Sequence, residues 1–520
     1  MANAQLFRSM FGRIFPKTDA VNHEGAAAYR FTPREALAQY SATGCLNGTF
    51  YADAGAQLER VLDLSRDLDA EFIAKTAVYA RETGFMKDMP SLLCAILATK
   101  GVNGRERLET IFPRVIDNGR MLRNFVQILR SGAVGRKSLG TMPRRLVRLW
   151  LESRPGEAIF AAAVGQDPSL ADIVKMVHPK PADEAREALY GYLLGRPCRI
   201  QLLPETVRRF EAFKAGERGQ VPDVPFQFLT ALNLGPAEWT AIAGMAPWQM
   251  TRMNLNTFAR HGVFGQKGMT EMVANRLRDR RAIERARVFP YQVMTAFNNL
   301  DAAVPQMVRE ALQDALEVTL ANVPALGGKV YVCPDVSGSM RQAITGRRRG
   351  PSSVVRCVDV AAMIAAAILR KNPNAEVIPF ETGVVTVALN PRDTVSTNAE
   401  RLAAVGGGGT NCSAPLALLN RRRAQGDLVV LVSDNQSWVD ARADRSTGLM
   451  REWSGFAARN PEARLVCLDL APYETTQAPN RRDVMNIGGF SDKVFDLMAL
   501  FAEGKLAGDR WVSVIEGIAL

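Results

Sequence analysis

The stretch Tyr331-Val-Cys-Pro-Asp-Val-Ser-Gly-Ser-Met340 decides the fold of the C-terminal part of this chain. It begins as a short apolar run, which is typical of a β-strand, and ends in a loop with three oxygen donors: Asp335, Ser337 and Ser339. Short side chains at alternate positions can converge on one hard divalent cation where a strand ends and the chain bends, and Gly338 permits that bend. Alone, the loop also fits a polar turn after a strand, so both alternatives stay open at this point.

The residues around this loop alternate between apolar strands and helices. Predicted strands span residues 330–333, 375–380, 384–389, 428–433 and 463–470, and predicted helices span residues 354–371, 399–405 and 414–424. Strands that are apolar almost throughout, with helices between them, predict a doubly wound parallel sheet of the α/β class, similar to a Rossmann fold. In such sheets ligands bind at the carboxyl ends of the strands, which is where Asp335, Thr410 and Asp434 fall.

Thr410 and Asp434 extend the polar loop into a pattern of three parts. An Asp-x-Ser-x-Ser loop, a distant Gly-Gly-Thr and an Asp that ends the next buried strand together resemble the metal-ion-dependent adhesion site (MIDAS) of von Willebrand factor A domains. The resemblance implies that Ser337, Ser339 and Thr410 bind the metal directly, and that Asp335 and Asp434 bind it directly or through water. It implies Mg²⁺ as the expected divalent cation, with one coordination position open to an acidic group of a protein partner.

The residue types at this predicted site suit binding better than catalysis. Hydroxyl ligands add no charge, so the ion stays electrophilic and attracts an external carboxylate. No His, Lys or Glu in these loops is obviously poised as a general base, and Asp335 and Asp434 are too few acids for a two-metal nuclease. A phosphate cradle at residues 406–409 is an alternative, but that glycine run lacks the Lys-Ser/Thr ending of a P-loop. We therefore predict that the protein is not an enzyme.

From about residue 30 to residue 320 the apolar pattern is helical. Apolar residues recur at spacings of three and four, and alternating β-branched runs are scarce. Paired helices of this kind predict an all-α domain of stacked repeats of the HEAT type. No fixed-period repeat is visible in the sequence, so an all-α bundle stays open as the alternative.

The charge of the chain is concentrated in the helical part. The chain has 65 Lys and Arg against 53 Asp and Glu, a net charge of +12, and most of the excess lies before residue 326. No acidic residue stands between Asp117 and Glu152, a window that contains Arg120, Arg123, Arg130, Arg136, Lys137, Arg144, Arg145 and Arg148. Cations without counter-charge repel one another and favour a polyanionic partner, so we predict an RNA-binding surface here, with a solvated charged face as the alternative.

Five segments of the helical part resemble the TROVE module of the Ro autoantigen family. They are Phe72-Ile-Ala-Lys-Thr-Ala-Val-Tyr-Ala-Arg-Glu-Thr-Gly-Phe-Met-Lys-Asp-Met-Pro90, Ser131-Gly-Ala-Val-Gly-Arg-Lys137, the basic helix that ends at Trp150, Val174-Lys-Met-Val-His-Pro-Lys-Pro181 and Met250-Thr-Arg-Met-Asn-Leu-Asn-Thr-Phe-Ala-Arg-His-Gly-Val-Phe264. A TROVE module followed by an A domain is the arrangement of the Ro family. The resemblance therefore predicts a helical TROVE domain at residues 26–325 and an A domain at residues 326–520. The weak periodicity of residues 1–25 predicts a loosely held N-terminal arm before them.

The family resemblance implies a function as well as a fold. It implies a ring of helical repeats that binds small structured non-coding RNA of the Y type on a basic outer surface. Single-stranded 3′ ends of misfolded RNA would enter the ring cavity, in RNA quality control. The RNA-contacting helix of the family maps onto Lys137, Arg144, Arg145 and Arg148, and the histidine after the next helix maps onto His178.

Partners and an alternative function also follow from the resemblance. An exoribonuclease or another acidic protein ligand at the metal site is the expected protein partner. The alternative function is a metal-dependent protein-interaction scaffold that acts through the A domain.

The composition is that of a reduced cytosolic protein. Seven cysteines are scattered without a Cys-x-x-Cys pair, and only three histidines are present, which excludes a His-rich zinc site. No run approaches a signal-peptide core or a membrane span. We expect a cytoplasmic monomer, of the bacterial type of this family, that contacts no membrane.

Overall fold

The computed structural model of the protein describes residues 17–44, 46–217, 219–286, 288, 290–319, 323–347, 355–438, 446–491, 493–507 and 511–520. These residues divide into two compact units. The described residues of 17–68 and of 323–518 form what we term the sheet unit. The described residues of 69–319, with residues 519 and 520, form the helical unit.

The sheet unit begins with two short strands and two helices: β1 (Ala20–Val21), β2 (Ala27–Arg30), α1 (Pro33–Thr43) and α2 (Ala54–Asp67). β2 pairs antiparallel with Thr475 and Thr476, far along the chain. Gln39 of α1 donates a side-chain N–H to the Asp469 carboxylate at 2.7 Å. The described residues of 26–68 therefore belong to the sheet unit, whereas the predicted boundaries placed them in the helical domain.

The described part of the predicted N-terminal arm forms a strand and is not a loosely held segment. β1 pairs antiparallel with β2, with Ala20 opposite Ala28. The buried Asn22 donates a side-chain N–H to the Ser437 carbonyl at 2.6 Å. A strand of two residues has no alternating pattern long enough to be recognised in the sequence. Residues 1–16 of the predicted arm lie outside the described residues.

The helical unit is built from α-helices joined by short turns, which confirms its predicted all-α character. The helices are α3 (Ala70–Glu82), α4 (Asp88–Leu97), α5 (Gly101–Val115), α6 (Gly119–Ser131), α7 (Thr141–Glu152), α8 (Gly156–Ala162), α9 (Leu170–Val177), α10 (Glu184–Leu193), α11 (Glu205–Lys214), α12 (Phe226–Leu229), α13 (Pro236–Met245), α14 (Trp248–Met253), α15 (Leu255–Arg260), α16 (Met269–Arg278), α17 (Arg280–Ala286), α18 (Pro290–Asn298) and α19 (Gln306–Thr319). In the first part of this unit a helix packs on the next helix and on the next but one: α3 contacts α4 and α5, α4 contacts α6, and α5 contacts α7.

Polar side-chain contacts in the helical unit recur between residues that are 36 positions apart. The pairs are Arg81–Asp117, Arg107–Glu71, Asn124–Asp88 and Arg278–Asp314. A separation of this size spans two helices and their turns, as expected where one helix pair stacks on the next. The spacing between contacting residues repeats, although the residue types at those positions do not. A search for a repeated sequence pattern therefore does not find it.

The remaining strands are β3 (Val330–Pro334), β4 (Glu376–Val377), β5 (Leu428–Ser433), β6 (Arg464–Asp469), β7 (Thr475–Thr476) and β8 (Val484–Gly488). Five of them form one parallel sheet in the order β4-β3-β5-β6-β8, which confirms the predicted parallel sheet. Every residue of β3, β5 and β8 is buried, because a parallel sheet is covered on both faces.

Six helices complete the sheet unit: α20 (Cys357–Lys371), α21 (Val395–Ala403), α22 (Ala414–Arg421), α23 (Gly448–Arg459), α24 (Lys493–Ala502) and α25 (Trp511–Glu516). Trp453 and Phe456 of α23 are fully buried in the core that includes Leu431 of β5. Full burial of each such aromatic side chain stabilises the fold by about 2–3 kcal/mol. Among the described helices, none has the length and apolar character of a membrane span.

The predicted strand at residues 384–389 does not form. Only Val384 makes a single bridge, to Phe380, and the chain folds back so that the Val385 N–H donates to the Pro379 carbonyl at 2.8 Å. The alternating side chains of this segment lie half-buried or exposed beyond β4, the edge strand. An alternating pattern alone does not supply a neighbouring strand with which to pair.

Candidate metal centre and nucleic-acid interface

The carboxyl ends of two adjacent strands position the aspartates of the predicted metal site. Asp335 follows β3, and Asp434 follows β5. The Asp335 N–H donates to the Val432 carbonyl at 2.9 Å, and the Val336 N–H donates to the Phe380 carbonyl at 2.8 Å. We term residues 335–339 the metal loop. Backbone hydrogen bonds fix its first two residues where it leaves the sheet.

A glycine run brings Thr410 to this loop. The Gly407 N–H donates to the Val336 carbonyl at 2.8 Å. Gly406 has a φ of +79°, and a Cβ atom at this position would lie 2.3 Å from the same carbonyl oxygen. Only glycine permits this close approach in this backbone conformation. The run therefore packs closely against the metal loop, and Thr410 follows it directly in the chain.

Three N–H groups of the glycine run are used inside the protein. Besides Gly407, Gly408 donates to the Glu381 carboxylate at 2.7 Å, and Gly409 donates to the Thr382 hydroxyl at 3.2 Å. A phosphate cradle needs such N–H groups free for its ligand. The alternative of a phosphate-binding loop is therefore wrong for this run.

The structure brings four of the predicted metal ligands together at one buried edge, and the fifth, Thr410, directly follows the glycine run that contacts the metal loop. All five are buried: Asp335, Ser337, Ser339, Thr410 and Asp434. The Ser337 and Ser339 hydroxyl oxygens lie 3.3 Å apart, and the Ser337 N–H donates to Asp335 Oδ1 at 2.9 Å. Ser433 donates its hydroxyl to Asp335 Oδ2 at 2.5 Å. Hydroxyl and carboxylate oxygens of this kind are the ligands that Mg²⁺ prefers.

One carboxylate oxygen of this group lacks a partner. Asp434 Oδ2 is buried and makes no hydrogen bond within the part of the chain that the structure describes. A buried polar atom without a partner is costly, so this oxygen fits a cation. No group of three His, Cys, Asp or Glu side chains with metal-binding geometry occurs among the described residues. A metal ion at this edge would therefore depend on the serine and threonine hydroxyls to complete its ligands.

Burial shapes the electrostatics of the two aspartates. It raises the pKa of Asp335 above the ordinary aspartate value, and hydrogen bonds from Ser433 and Ser337 oppose this increase. Burial also raises the pKa of Asp434, and the nearby charge of Asp335 raises it further. A bound cation would lower both values, because an opposite charge favours the ionised carboxylate.

Two tyrosines that the sequence analysis missed lie close to this edge. Burial and then the charge of Asp434 raise the pKa of the Tyr51 hydroxyl far above its usual value, and a hydrogen-bonding interaction with Ser339 opposes the increase. Burial, and then the charge of Asp434, also raise the pKa of Tyr473. Residue 51 is distant in sequence from the metal loop, so no local pattern indicates this proximity.

The predicted RNA-binding residues lie on α6, on α7 and in the connection between them. Five of the side chains are exposed: Arg120, Arg130, Lys137, Arg144 and Arg145. Arg145 pairs with Glu109 at 2.7 Å, and Arg120 lies 3.8 Å from Asp88. The predicted lack of counter-charge is therefore wrong for these two arginines, because acids from neighbouring helices approach the window.

The other three arginines of the window are half-buried and donate to carbonyl groups near helix ends. The pairs are Arg123 with Ala162, Arg136 with Ala98 and Arg148 with Val177. Burial lowers the pKa of Arg123. The last carbonyls of a helix have no partner inside it, so these guanidinium groups connect one helix to another. They have a structural role that does not depend on RNA.

Three exposed cations of the window remain available. Arg130, Lys137 and Arg144 make no ion pair within the described ranges, and we term them the cationic connection. Arg130 ends α6, Lys137 lies in the connection, and Arg144 lies in the first turn of α7. Their charges therefore face solvent within one helix–turn–helix segment.

His178 lies at the end of the helix that Arg148 contacts. It is exposed, it follows the last residue of α9, and its φ of +47° ends the helix. Its side chain lines a cavity of about 700 Å³ together with Lys175 and Arg196. His178 therefore lies one residue beyond the carbonyl to which Arg148 of the basic window donates.

Two family models match the chain. The TROVE domain model matches residues 172–361, and the model described as the Ro60 vWA domain matches residues 329–502. The TROVE match begins later than the predicted domain and extends past its predicted end at residue 325. The resembling segment at residues 72–90 lies outside this match.

One relative and one solved structure extend the similarity to almost the whole chain. The RNA-binding protein RO60 of Deinococcus radiodurans is 25% identical over 519 residues, which cover 93% of this chain and 95% of the relative. The crystal structure of the RO (RSR) protein of the same organism is 22% identical, with a TM-score of 0.63, and covers 91% of this chain and 100% of that one. The structural match supports the fold over both units.

Proposed function

The chain belongs to the Ro family, with a TROVE domain and an Ro60-type von Willebrand factor A domain, and on this premise we propose that it is a non-catalytic RNA-binding protein. It binds small structured RNA of the Y type on the exposed basic face of the helical unit. It also takes up single-stranded 3′ ends of misfolded RNA, in RNA quality control. A relative that is named an RNA-binding protein supports the ligand class.

The observation that carries this proposal is the cationic connection. Arg130, Lys137 and Arg144 are exposed, and no carboxylate forms an ion pair with them in the described parts of the chain, although Arg130 is close enough to Asp172 to help lower the pKa of that carboxyl group. Phosphate groups supply most of the sequence-independent affinity of RNA-binding proteins, and unpaired surface cations are the groups that contact them. Shape and charge, more than base sequence, then determine which RNA binds.

Replacement of the cationic connection by glutamine (Arg130→Gln, Lys137→Gln, Arg144→Gln) tests the proposal. Each lost phosphate contact reduces the slope of log affinity against log salt by roughly 0.7–0.9, so we expect the slope to fall by about 2 and the affinity at low salt to fall at least tenfold. Fluorescence anisotropy with a labelled RNA hairpin and a labelled single strand, at several salt concentrations, measures both quantities.

A charge-matched variant is the control for this experiment. Arg66→Gln, Arg209→Gln and Arg422→Gln remove the same number of charges from exposed arginines that are already paired with acids. This variant should keep the wild-type slope. An equal loss in both variants would show that only net charge matters, and an unchanged slope in the first variant would contradict the assignment.

The metal centre supports a second function, which is compatible with the first. We propose that the site at Asp335, Ser337, Ser339, Thr410 and Asp434 holds Mg²⁺ and presents it to an acidic group of a protein partner, such as an exoribonuclease. Two observations favour this function: Asp434 Oδ2 is buried without a partner in the described residues, and the Ser337 and Ser339 hydroxyl oxygens lie 3.3 Å apart. When bound, the ion would supply one open coordination position for a carboxylate.

Removal of single hydroxyl ligands tests the metal centre. Ser337→Ala and Thr410→Val should each weaken Mg²⁺ binding by about tenfold or more, as judged from the cost of losing groups that support metal ligands. Isothermal titration calorimetry measures the Mg²⁺ affinity. Ser413→Ala, which removes a hydroxyl bonded to Asn411, is the control. Wild-type Mg²⁺ affinity in both ligand variants would show that the site is not a metal centre.

A further inference from the structure

Two segments of the sheet unit meet beside the metal loop. One is the turn at residues 22–25, and the other is the stretch at residues 47–51. The Tyr51 hydroxyl on the second segment donates to a Glu24 carboxylate oxygen on the first segment at 2.5 Å. We term these two segments, joined by this hydrogen bond, the cover.

The turn of the cover is attached to the loop that follows β5. Asn22 is buried, donates to the Ser437 carbonyl at 2.6 Å and accepts from the Glu24 N–H at 3.0 Å. The His23 N–H donates to the Gln436 side-chain oxygen at 3.0 Å. This loop also carries the second aspartate of the metal site, so the backbone position of Glu24 is fixed relative to that aspartate.

The second segment is attached to the chain that follows the metal loop. The Phe50 N–H donates to the Gln342 side-chain oxygen at 2.6 Å, and Asn47 donates to the Thr345 carbonyl at 2.7 Å. Gln342 comes only three residues after the metal-loop residue Ser339. Each side of the metal site is therefore tied to one half of the cover.

Aromatic packing fixes the ring of Tyr51. The His23 ring stacks on it with a centroid separation of 5.6 Å and an angle of 14° between the planes. Tyr473 contacts both rings edge-on, with centroids 5.1 Å from His23 and 5.6 Å from Tyr51. The hydroxyl of Tyr51 lies near Ser339, and it donates a hydrogen bond to the Glu24 carboxylate.

We propose that Glu24 is the chain's own acidic ligand for the open position of the metal centre, held beside it by Tyr51, so that an external acidic partner must displace it. This inference rests on the metal centre proposed above. Glu24 is exposed. Its neighbour Gly25 has a φ of +76°, and a Cβ atom added there would have no neighbour within 4 Å, so the space beside the turn is open. A carboxylate oxygen is also the ligand type that a hard cation prefers.

The number of water molecules bound to the metal ion tests whether Glu24 is a ligand. Terbium(III), a hard luminescent cation, replaces Mg²⁺, and the decay of its luminescence in H₂O and in D₂O gives the number of bound water molecules. Replacement of the Glu24 carboxylate by an amide (Glu24→Gln) should add about one bound water, because water fills the position that the carboxylate leaves. Tyr51→Phe keeps the ring but removes the hydroxyl that holds Glu24, so it should shift the count in the same direction.

A control variant and a ligand variant distinguish a wrong role for Glu24 from a wrong metal centre. Glu59→Gln removes the same charge from an exposed position on α2 and should keep the wild-type water count. If Thr410→Val binds terbium as tightly as the wild type, the metal centre is wrong and the role of Glu24 falls with it. If Thr410→Val weakens binding while Glu24→Gln and Tyr51→Phe keep the wild-type count, the metal centre stands and the role of Glu24 is overturned.

Discussion

At the scale of residues, Asp335 and Asp434 show the free-energy cost of burying two carboxyl groups at the proposed metal centre. Both carboxyl groups are buried, and their described hydrogen-bond partners are hydroxyl and N–H groups, which cannot neutralise a charge. Burial of an ionised carboxylate is unfavourable unless it is paired. Burial of the two carboxyl groups therefore makes an unfavourable contribution to the free energy of folding, and a bound divalent cation would offset part of it.

The raised pKa values of these two groups predict a dependence on pH. A carboxyl group whose pKa is higher in the folded state than in the unfolded state stabilises the fold fully below the unfolded value, near pH 4, and this stability is lost as pH rises through the folded value. Without metal, the sheet unit should therefore unfold at lower urea at pH 8 than at pH 5, and Mg²⁺ should restore more stability at pH 8.

Urea unfolding at the two pH values, with EDTA and with Mg²⁺, measures this effect. Asp434→Asn, which cannot ionise at that position, is the comparison and should show a smaller loss between pH 5 and pH 8. An equal gain from Mg²⁺ at both pH values would contradict the explanation, because the benefit would then not depend on ionisation of the carboxyl groups.

The basic window shows how far residue types alone predict a site. The sequence shows eight cations without an acid between them, but it cannot show that Glu109 approaches Arg145, or that Arg148 donates to the Val177 carbonyl. Those contacts depend on residues that are about 30 to 36 positions away, beyond the reach of a local charge pattern. The positions of the predicted metal ligands are easier to derive from the sequence, because each one follows a recognisable strand or glycine run.

At the scale of elements, the two loops of the metal centre act as one packed structure. The glycine run reaches the metal loop only because Gly406 accepts a positive φ and has no Cβ atom to contact the Val336 carbonyl. The position of Thr410 therefore depends on a residue that contributes no ligand atom. A sequence motif that contains only the ligand residues does not include Gly406, on which the position of Thr410 depends.

Introduction of a methyl group at Gly406 tests this dependence. Gly406→Ala should destabilise the sheet unit by about 1–3 kcal/mol, because the residue is forced into a strained conformation against a carbonyl oxygen, and it should also weaken Mg²⁺ binding. Gly383→Ala is the control, since a Cβ atom there would have no neighbour within 4 Å. Urea unfolding and calorimetry measure the two effects, and wild-type stability in Gly406→Ala would contradict the packing argument.

The strands were predictable where they are apolar throughout, and β8 shows where this fails. It contains Asn486, whose side chain is buried and donates to the Ala478 carbonyl at 2.9 Å. A polar residue in the middle of a buried strand interrupts the apolar run, although its hydrogen bonds are satisfied in the fold. Such a strand is recognised only when its tertiary partners are known.

At the scale of the whole molecule, the sequence predicts two fold classes, and the structure contains both. It does not predict that residues 17–68 pack with the sheet that begins at Val330. Residues 36–43 of α1 are all buried, and α2 buries one face, but the apolar pattern of these helices carries no information about which core receives them. A boundary drawn where the pattern changes from helices to strands therefore misplaces the N-terminal segment.

The discontinuity of the sheet unit has a consequence for biosynthesis. Its first strands and helices leave the ribosome well before β3, because the entire helical unit is translated between them. At about 5–20 residues per second, this delay lasts on the order of tens of seconds. During this time α1, α2 and their apolar faces have no native core to join, so a nascent chain that stalls within the helical unit exposes a segment that chaperones or proteases can recognise.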